Sequence, residues 1–175
     1  RRPSEVAQLQ ACAAIGQVEL MRLYSIACLK HELCIAQVLL TQEDVANRKR
    51  CRNAKHTIEA LLLRKALPIV NENDTVAIDE LTFGDNDRLS ALVACLVVAD
   101  ILVVLSDVDG LMQGDKVIRR LERLEASHHA LAVPSARQTT TGGMASKLAA
   151  ANIARQGGIP MVLANGTKAG VLLDV

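Results

Sequence analysis

Apolar positions recur at helical spacing from the Pro3-Ser4 entry through Val6, Leu9, Ala13, Leu20 and Leu23, which predicts a helix ending near Lys30. Gly16 interrupts that stripe and predicts a bend or a closely packed neighbour there. Leu33–Leu40 is apolar except for Gln37 and predicts a strand. Thr41 followed by Glu43 and Asp44 predicts a capped helix start, and the basic run from Arg48 to Arg52 leads into a helix over Asn53–Lys65. Pro68–Asn71 predicts a short strand, followed by a polar loop through Gly84. A helix is predicted over Arg88–Val98 and a strand over Ile101–Ser106. A helical stretch near Val117–Leu131, a helix over Gly143–Arg155 and a strand over Met161–Ala164 complete the series. Helices alternate with apolar strands and no hairpin signal separates successive strands, which predicts right-handed crossovers, a mostly parallel sheet and helices on both faces.

Composition narrows the class. Half of the 175 residues are hydrophobic but only Tyr24 and Phe83 are aromatic, so the core is aliphatic and no stacking platform for nucleic acid or carbohydrate is available. The apolar content excludes a disordered chain. Twenty basic against nineteen acidic residues give a net charge of +1, so no global field recruits a polyanion, and no nucleic-acid partner is expected from this span. Five cysteines without a CxxC pair predict a reducing, cytoplasmic setting. Cys28, His31 and Cys34 do not make a structural zinc site, because four well-placed ligands are required. Leu89–Leu105 is nearly all apolar, but it holds Ser90 and Asp100 and reads as a buried helix followed by a buried strand rather than a membrane span. The opening Arg-Arg-Pro and the closing Gly-Val-Leu-Leu-Asp-Val read as cut ends of one domain.

The polar motifs occupy equivalent places in the alternation. Asn71-Glu72-Asn73-Asp74 and Ser106-Asp107 leave the carboxyl ends of strands, while Gly84-Asp85-Asn86-Asp87 and Thr141-Gly142-Gly143 precede helices. In a parallel sheet these positions share one edge, where ligands bind. Thr141-Gly-Gly-Met-Ala-Ser-Lys147 suits an anion, with glycines that admit close approach of backbone N–H groups and Lys147 one turn into the helix. It equally suits a plain helix entry carrying a surface cation. It is not a Walker A loop, and no GxGxxG occurs. The two Asn/Asp clusters can hold an ammonium, orient lysines or meet a cation, although turn and cap chemistry uses the same residues. Asp107-Val-Asp-Gly110 is not a calcium loop, since its glycine comes too early. The run from Arg48 to Arg52, with Lys55 and His56, is read as a solvated helix entry, and His128-His129 as an exposed helical pair.

The segments Pro68-Ile-Val-Asn-Glu-Asn-Asp74, Phe83-Gly-Asp-Asn-Asp-Arg-Leu-Ser-Ala91, Leu105-Ser-Asp-Val-Asp-Gly-Leu111, Thr141–Lys147 and Gly166-Thr-Lys-Ala-Gly-Val171 follow one another in an order that resembles the glutamate 5-kinases (γ-glutamyl kinases) of the amino-acid kinase family. Ala13-Ala-Ile-Gly-Gln17 and Val38-Leu-Leu-Thr41 extend the resemblance upstream. It implies an α/β fold, a three-layer αβα sandwich around a mainly parallel sheet, and Mg²⁺-dependent transfer of the ATP γ-phosphoryl to the side-chain carboxylate of L-glutamate for proline synthesis.

By that resemblance Asp74 and Asn86, with Asp85 nearby, hold the glutamate. Asp87 organises the catalytic lysines, Ser106 and Asp107 lie along the nucleotide, and Lys147 neutralises charge on the phosphoryl groups. The backbone of Thr141, Gly142, Gly143, Met144, Ala145 and Ser146 cradles those groups. Proline as feedback inhibitor and a homo-oligomer are implied as well, with no membrane partner. The family's first strand, bearing a phosphate-binding lysine, and its Ser-Gly-Ala loop lie upstream of the pattern seen here, so residues 1–175 are expected to be an amino-acid kinase domain incomplete at both ends and inactive alone. Thr140 and Ala169 depart from the family's usual Gly and Pro, Ser106 stands where Thr is commoner, and the stretch after Leu111 lacks an Asp-Pro pair. A sister kinase with another carboxylate or phosphate acceptor, or a non-catalytic amino-acid sensor on the same fold, would share most of these motifs.

Overall fold

The computed structural model describes residues 5–77, 86–132 and 143–175, and the chain divides into two compact units between residues 83 and 84. In the first unit, helix α1 (Val6–Leu29) leads to strand β1 (Cys34–Leu40), a short helix α2 (Gln42–Ala46), helix α3 (Arg48–Leu63) and strand β2 (Ala66–Glu72). β1 and β2 pair in parallel from Cys34 opposite Ala66 to Leu40 opposite Glu72. Among the described residues of this unit, Leu40, Ile58, Ala66 and Ile69 are the buried apolar side chains, with Cys28 at the end of α1.

The second unit contains α4 (Asn86–Val97), β3 (Leu102–Ser106), a hairpin of β4 (Met112–Gln113) and β5 (Lys116–Val117), α5 (Ala126–Ala130), α6 (Met144–Gln156) and β6 (Met161–Asn165). A 3₁₀ turn over Val171–Leu173 follows. β3 and β6 are parallel, with Leu102 opposite Met161 and Ser106 opposite Asn165. The α/β class and the parallel pairing therefore agree with the sequence reading.

Three helix-to-strand turns share one solution. Leu33 donates its N–H to Cys28 O, Ala99 to Ala94 O and Ile159 to Ala154 O, at 2.9–3.1 Å, each closing the helix with a bond six residues long. The residue before each donor takes a positive φ, and only Gly158 is a glycine; Glu32 and Val98 hold that conformation at φ 56°. For a β-branched residue such as Val98 this is strained.

Four expectations are corrected. The basic run from Arg48 to Arg52 is not a lead-in but the first turn of α3, because Asn47 caps the helix by accepting from the N–H groups of Lys49 and Arg50. The helix near Val117–Leu131 is absent. Gly114-Asp115 makes a two-residue hairpin turn, with Gly114 at φ 60°, and the pairing of Gln113 with Lys116 uses backbone that a helix would need. Only Ala126–Ala130 is helical there, and His128 Nδ1 accepts the N–H of Glu125, so His128 is a capping residue rather than simply exposed. Gly16 meets no described neighbour within 4 Å of an added Cβ, and α1 runs through it unbroken.

By length and apolar composition α1 would also suffice to cross a membrane. Its described contacts are those of an α/β layer: it packs on β1, and Gln17 bonds to the side chains of Gln37 and Asn71.

Candidate active site

α4 and α6 pack through alanines. Ala91 and Ala94 from α4 meet Ala150 and Ala154 from α6 around Ile159, and Ala91, Ala150 and Ala154 are completely buried. Side chains this small let two helices approach closely. On α4, Asp87 lies four residues before Ala91, one turn earlier on the same face; on α6, Lys147 lies three before Ala150 and seven before Ala154. The alanine seam thus aims Asp87 and Lys147 at each other at the amino ends of both helices.

They meet there. Lys147 Nζ is 3.1 Å from Asp87 Oδ2, with side chains only 11% and 18% exposed, and Lys147 is one of two buried polar residues among those described. The Ser146 hydroxyl lies 2.6 Å from the same Oδ2 and 2.9 Å from the Gly143 carbonyl oxygen. One hydroxyl proton serves two acceptors, and the shorter contact to the charged one is the stronger bond. Gly143 is the N-cap of α6 and, lacking a side chain, makes no side-chain cap bond of its own. A buried ammonium beside an uncapped helix start is suited to a multiply charged anion.

Strand direction extends the site. A short connection joins the end of α4 to the start of β3, and another joins α6 to β6. Helices of 12 and 13 residues span about 18–20 Å and five-residue strands about 17 Å, so the helix starts return to the level of the strand ends. Asp87 and the Gly143–Lys147 turn therefore belong to the carboxyl edge that also carries Ser106, Asp107 and Asn165. Ser106 Oγ donates to Asp107 Oδ1 at 3.3 Å, and Asp107 is exposed.

Beside them, Asn165 Nδ2 donates to Asp109 Oδ1 at 2.8 Å, Lys168 Nζ stands 2.7 Å from that oxygen, and Asn165 Oδ1 accepts from the Thr167 N–H and hydroxyl. Hydrogen bonds from Lys168 and then Asn165 hold the Asp109 carboxyl below its usual range. Gly110, at φ 152°, ends this loop where a Cβ would lie 2.8 Å from Val117 Cγ1. The Asp109–Asn165–Lys168 brace was not assigned from sequence, although the Asn165-Gly166 turn pair was its available signal.

Asp74 belongs to the first unit. It is half-buried in the turn after β2, and burial alone raises its carboxyl pKa. A carboxyl whose folded pKa lies above its unfolded value, about 3.9, adds stability below that value and loses it as pH rises through the folded pKa. Asp74→Asn is therefore expected to raise the thermal midpoint at pH 7, with the gain vanishing below about pH 4. Equal midpoints at pH 7 would show that the charge carries no burial penalty.

Of the remaining expected site residues, Asn86 is the first residue of α4, Met144 is partly buried and Ala145 exposed in the first turn of α6. α4 starts two residues earlier than its periodicity indicates, which places Asn86 and Asp87 within the helix rather than before it. Asp85, Thr141 and Gly142 lie outside the described residues. Asp87, Ser146 and Lys147 are brought into direct contact, and Ser106 and Asp107 share their edge. Among the described residues, no group of three or more His, Cys, Asp or Glu could hold a metal ion.

The sequence profile described as Amino acid kinase family matches residues 2–165. Three similar proteins are named glutamate 5-kinase. That of Streptomyces avermitilis is 46% identical over 176 residues, covering 97% of this chain and 47% of the relative. That of Carboxydothermus hydrogenoformans is 49% identical over 170 residues, covering 93% and 46%. That of Myxococcus xanthus is 45% identical over 181 residues, covering 99% and 48%. The chain thus spans about half the length of the curated relatives it matches. A profile match running through both units, over parallel strands and a helix-start lysine, places this chain in the amino acid kinase family.

Proposed function

We propose that the intact protein is a glutamate 5-kinase, transferring the γ-phosphoryl of ATP to the side-chain carboxylate of L-glutamate. The observation that carries this reading is the buried Lys147–Asp87 pair at the uncapped start of α6, in a chain 45–49% identical to proteins of that name. In the reaction a carboxylate oxygen bonds to the γ-phosphorus as the bond to the β,γ-bridging oxygen breaks, giving glutamyl 5-phosphate and ADP. Both reactants are anions, so the protein's task is positioning and charge stabilisation.

Lys147 supplies the positive charge, and the N–H groups of Met144 and Ala145 at the start of α6 supply donors to phosphoryl oxygens, that of Ser146 being turned to the Gly143 carbonyl. Asp87 holds Lys147 in place. Ser106 and Asp107 line the nucleotide side of the edge. Asp74 receives the amino acid, whose ammonium offsets the burial penalty of the Asp74 carboxylate. Mg²⁺ enters with ATP as part of the substrate, and among the described residues no group of three or more His, Cys, Asp or Glu competes for it. A cytoplasmic location, homo-oligomerisation and inhibition by proline complete the proposal.

The test is ADP release by the intact protein with Mg–ATP, against L-glutamate, L-aspartate and N-acetylglutamate, with hydroxylamine to trap the acyl phosphate as a hydroxamate. Hydroxamate formed only with L-glutamate is the expected result. Amino-acid binding without nucleotide binding, or turnover on another acceptor alone, would overturn it.

A further inference from the structure

The polar pattern of α1 is inverted. Its exposed positions include Ile15, Val18, Tyr24, Ile26 and Leu29, whereas Gln10 and Gln17 are partly shielded with Ala13, Leu20, Met21 and Cys28 on the face toward β1. Glutamines seven residues apart lie two turns apart on one helix face. Both reach the same distant segment. Asn71 Nδ2 donates to Gln17 Oε1 at 2.8 Å, and Gln10 Nε2 donates to the Ala77 carbonyl at 3.3 Å. Gln17 Nε2 also donates to Gln37 Oε1 on β1 at 3.1 Å. These contacts bracket residues 71–77, where Asn71 and Glu72 also pair with β1, Asn73 N–H donates to Leu40 O, Val76 and Ala77 N–H donate to Asn73 O, and the Thr75 hydroxyl donates to Asn73 Oδ1. Asp74 sits at the centre of the bracket.

We infer that Gln17, seconded by Gln10, is a positioning residue that fixes the Asn71–Ala77 turn and so sets the affinity for the amino-acid substrate at Asp74. The substrate in this statement rests on the glutamate-kinase reading; the positioning itself does not. α1 then acts as a rail whose two amide side chains hold the turn at both ends, while the nucleotide-side residues are untouched.

The test compares Gln17→Met, which keeps length and removes both amide bonds, with Gln17→Glu, which keeps an acceptor for Asn71 while the Gln37 amide can turn to donate. In the intact protein, Gln17→Met is expected to raise the glutamate KM about three- to tenfold, the size of one hydrogen bond. kcat and the ATP KM should stay within about twofold, and Gln17→Glu should restore the glutamate KM. Hydrogen exchange at the Asn73 and Ala77 amides should quicken in Gln17→Met and return in Gln17→Glu, whatever the substrate proves to be. An unchanged glutamate KM in an active protein overturns the inference, as does a parallel loss of kcat, both KM values and thermal midpoint. Altered exchange in a protein that never turns over glutamate upholds the positioning and overturns the substrate reading instead.

Discussion

Lys147→Met is expected to lower glutamate-dependent ADP formation by the intact protein about 10²–10³-fold, because it removes the one buried ammonium at the start of α6. Folding suffers too, since the Asp87 carboxylate keeps only the Ser146 hydroxyl among the partners described above. Breaking a shielded ion pair from one side is more damaging than removing both partners. The double variant Asp87→Asn/Lys147→Met should therefore recover much of the thermal midpoint lost by Lys147→Met, while turnover stays low. Calorimetry beside the ADP assay separates these effects. Near-normal turnover in Lys147→Met would remove the lysine from the proposed chemistry.

Ala150→Leu is the second large effect. Ala150 has no exposure and packs in the seam with Ala91, Ala94 and Ala154, so three added carbons must push α6 away from α4. Overpacking of this kind costs about 1–3 kcal/mol, which lowers the midpoint of a chain this size by roughly 2–12 °C. The same displacement separates Lys147 from Asp87, so turnover should fall even where the variant remains folded. Ala149→Leu, one residue earlier and exposed, should leave the midpoint within about 1 °C. Matching midpoints for the two variants would mean that the seam does not set the helix spacing.

What was legible in the sequence follows from period and polarity. The aliphatic runs at Cys34–Leu40, Leu102–Ser106 and Met161–Asn165 have no competing pattern, and their strands match to within a residue. Lys147 and Asp87 were legible as polar residues at helix starts, and their pairing was further encoded in the alanine spacing. The helix ends were harder, because Glu32, Lys65 and Val98 take the left-handed conformation without being glycine, and tertiary packing overrides local preference there. The Met112–Val117 hairpin was hidden by strands of two residues each, too short to show alternation. Gln10 carried no local signal of function and Gln17 only its place in the Ala13–Gln17 stretch of the resemblance, since a glutamine on a helix is ordinarily a solvated residue. Their meaning depends on partners 54 and 67 residues away.

The Ser146 hydroxyl has a consequence for motion. In the proposed reaction Lys147 turns toward the arriving anion, which would leave Asp87 a poorly hydrated charge if the lysine were its sole described partner. The hydroxyl prevents this, because its proton can settle fully on Oδ2 and release the Gly143 carbonyl to the helix N–H groups of Ser146 and Lys147, which already point there at 3.1 and 3.4 Å. In the proposed reaction the carboxylate would then keep one charge-assisted hydrogen bond after the ammonium departs, so the lysine's change of partner would cost less than the loss of an isolated ion pair.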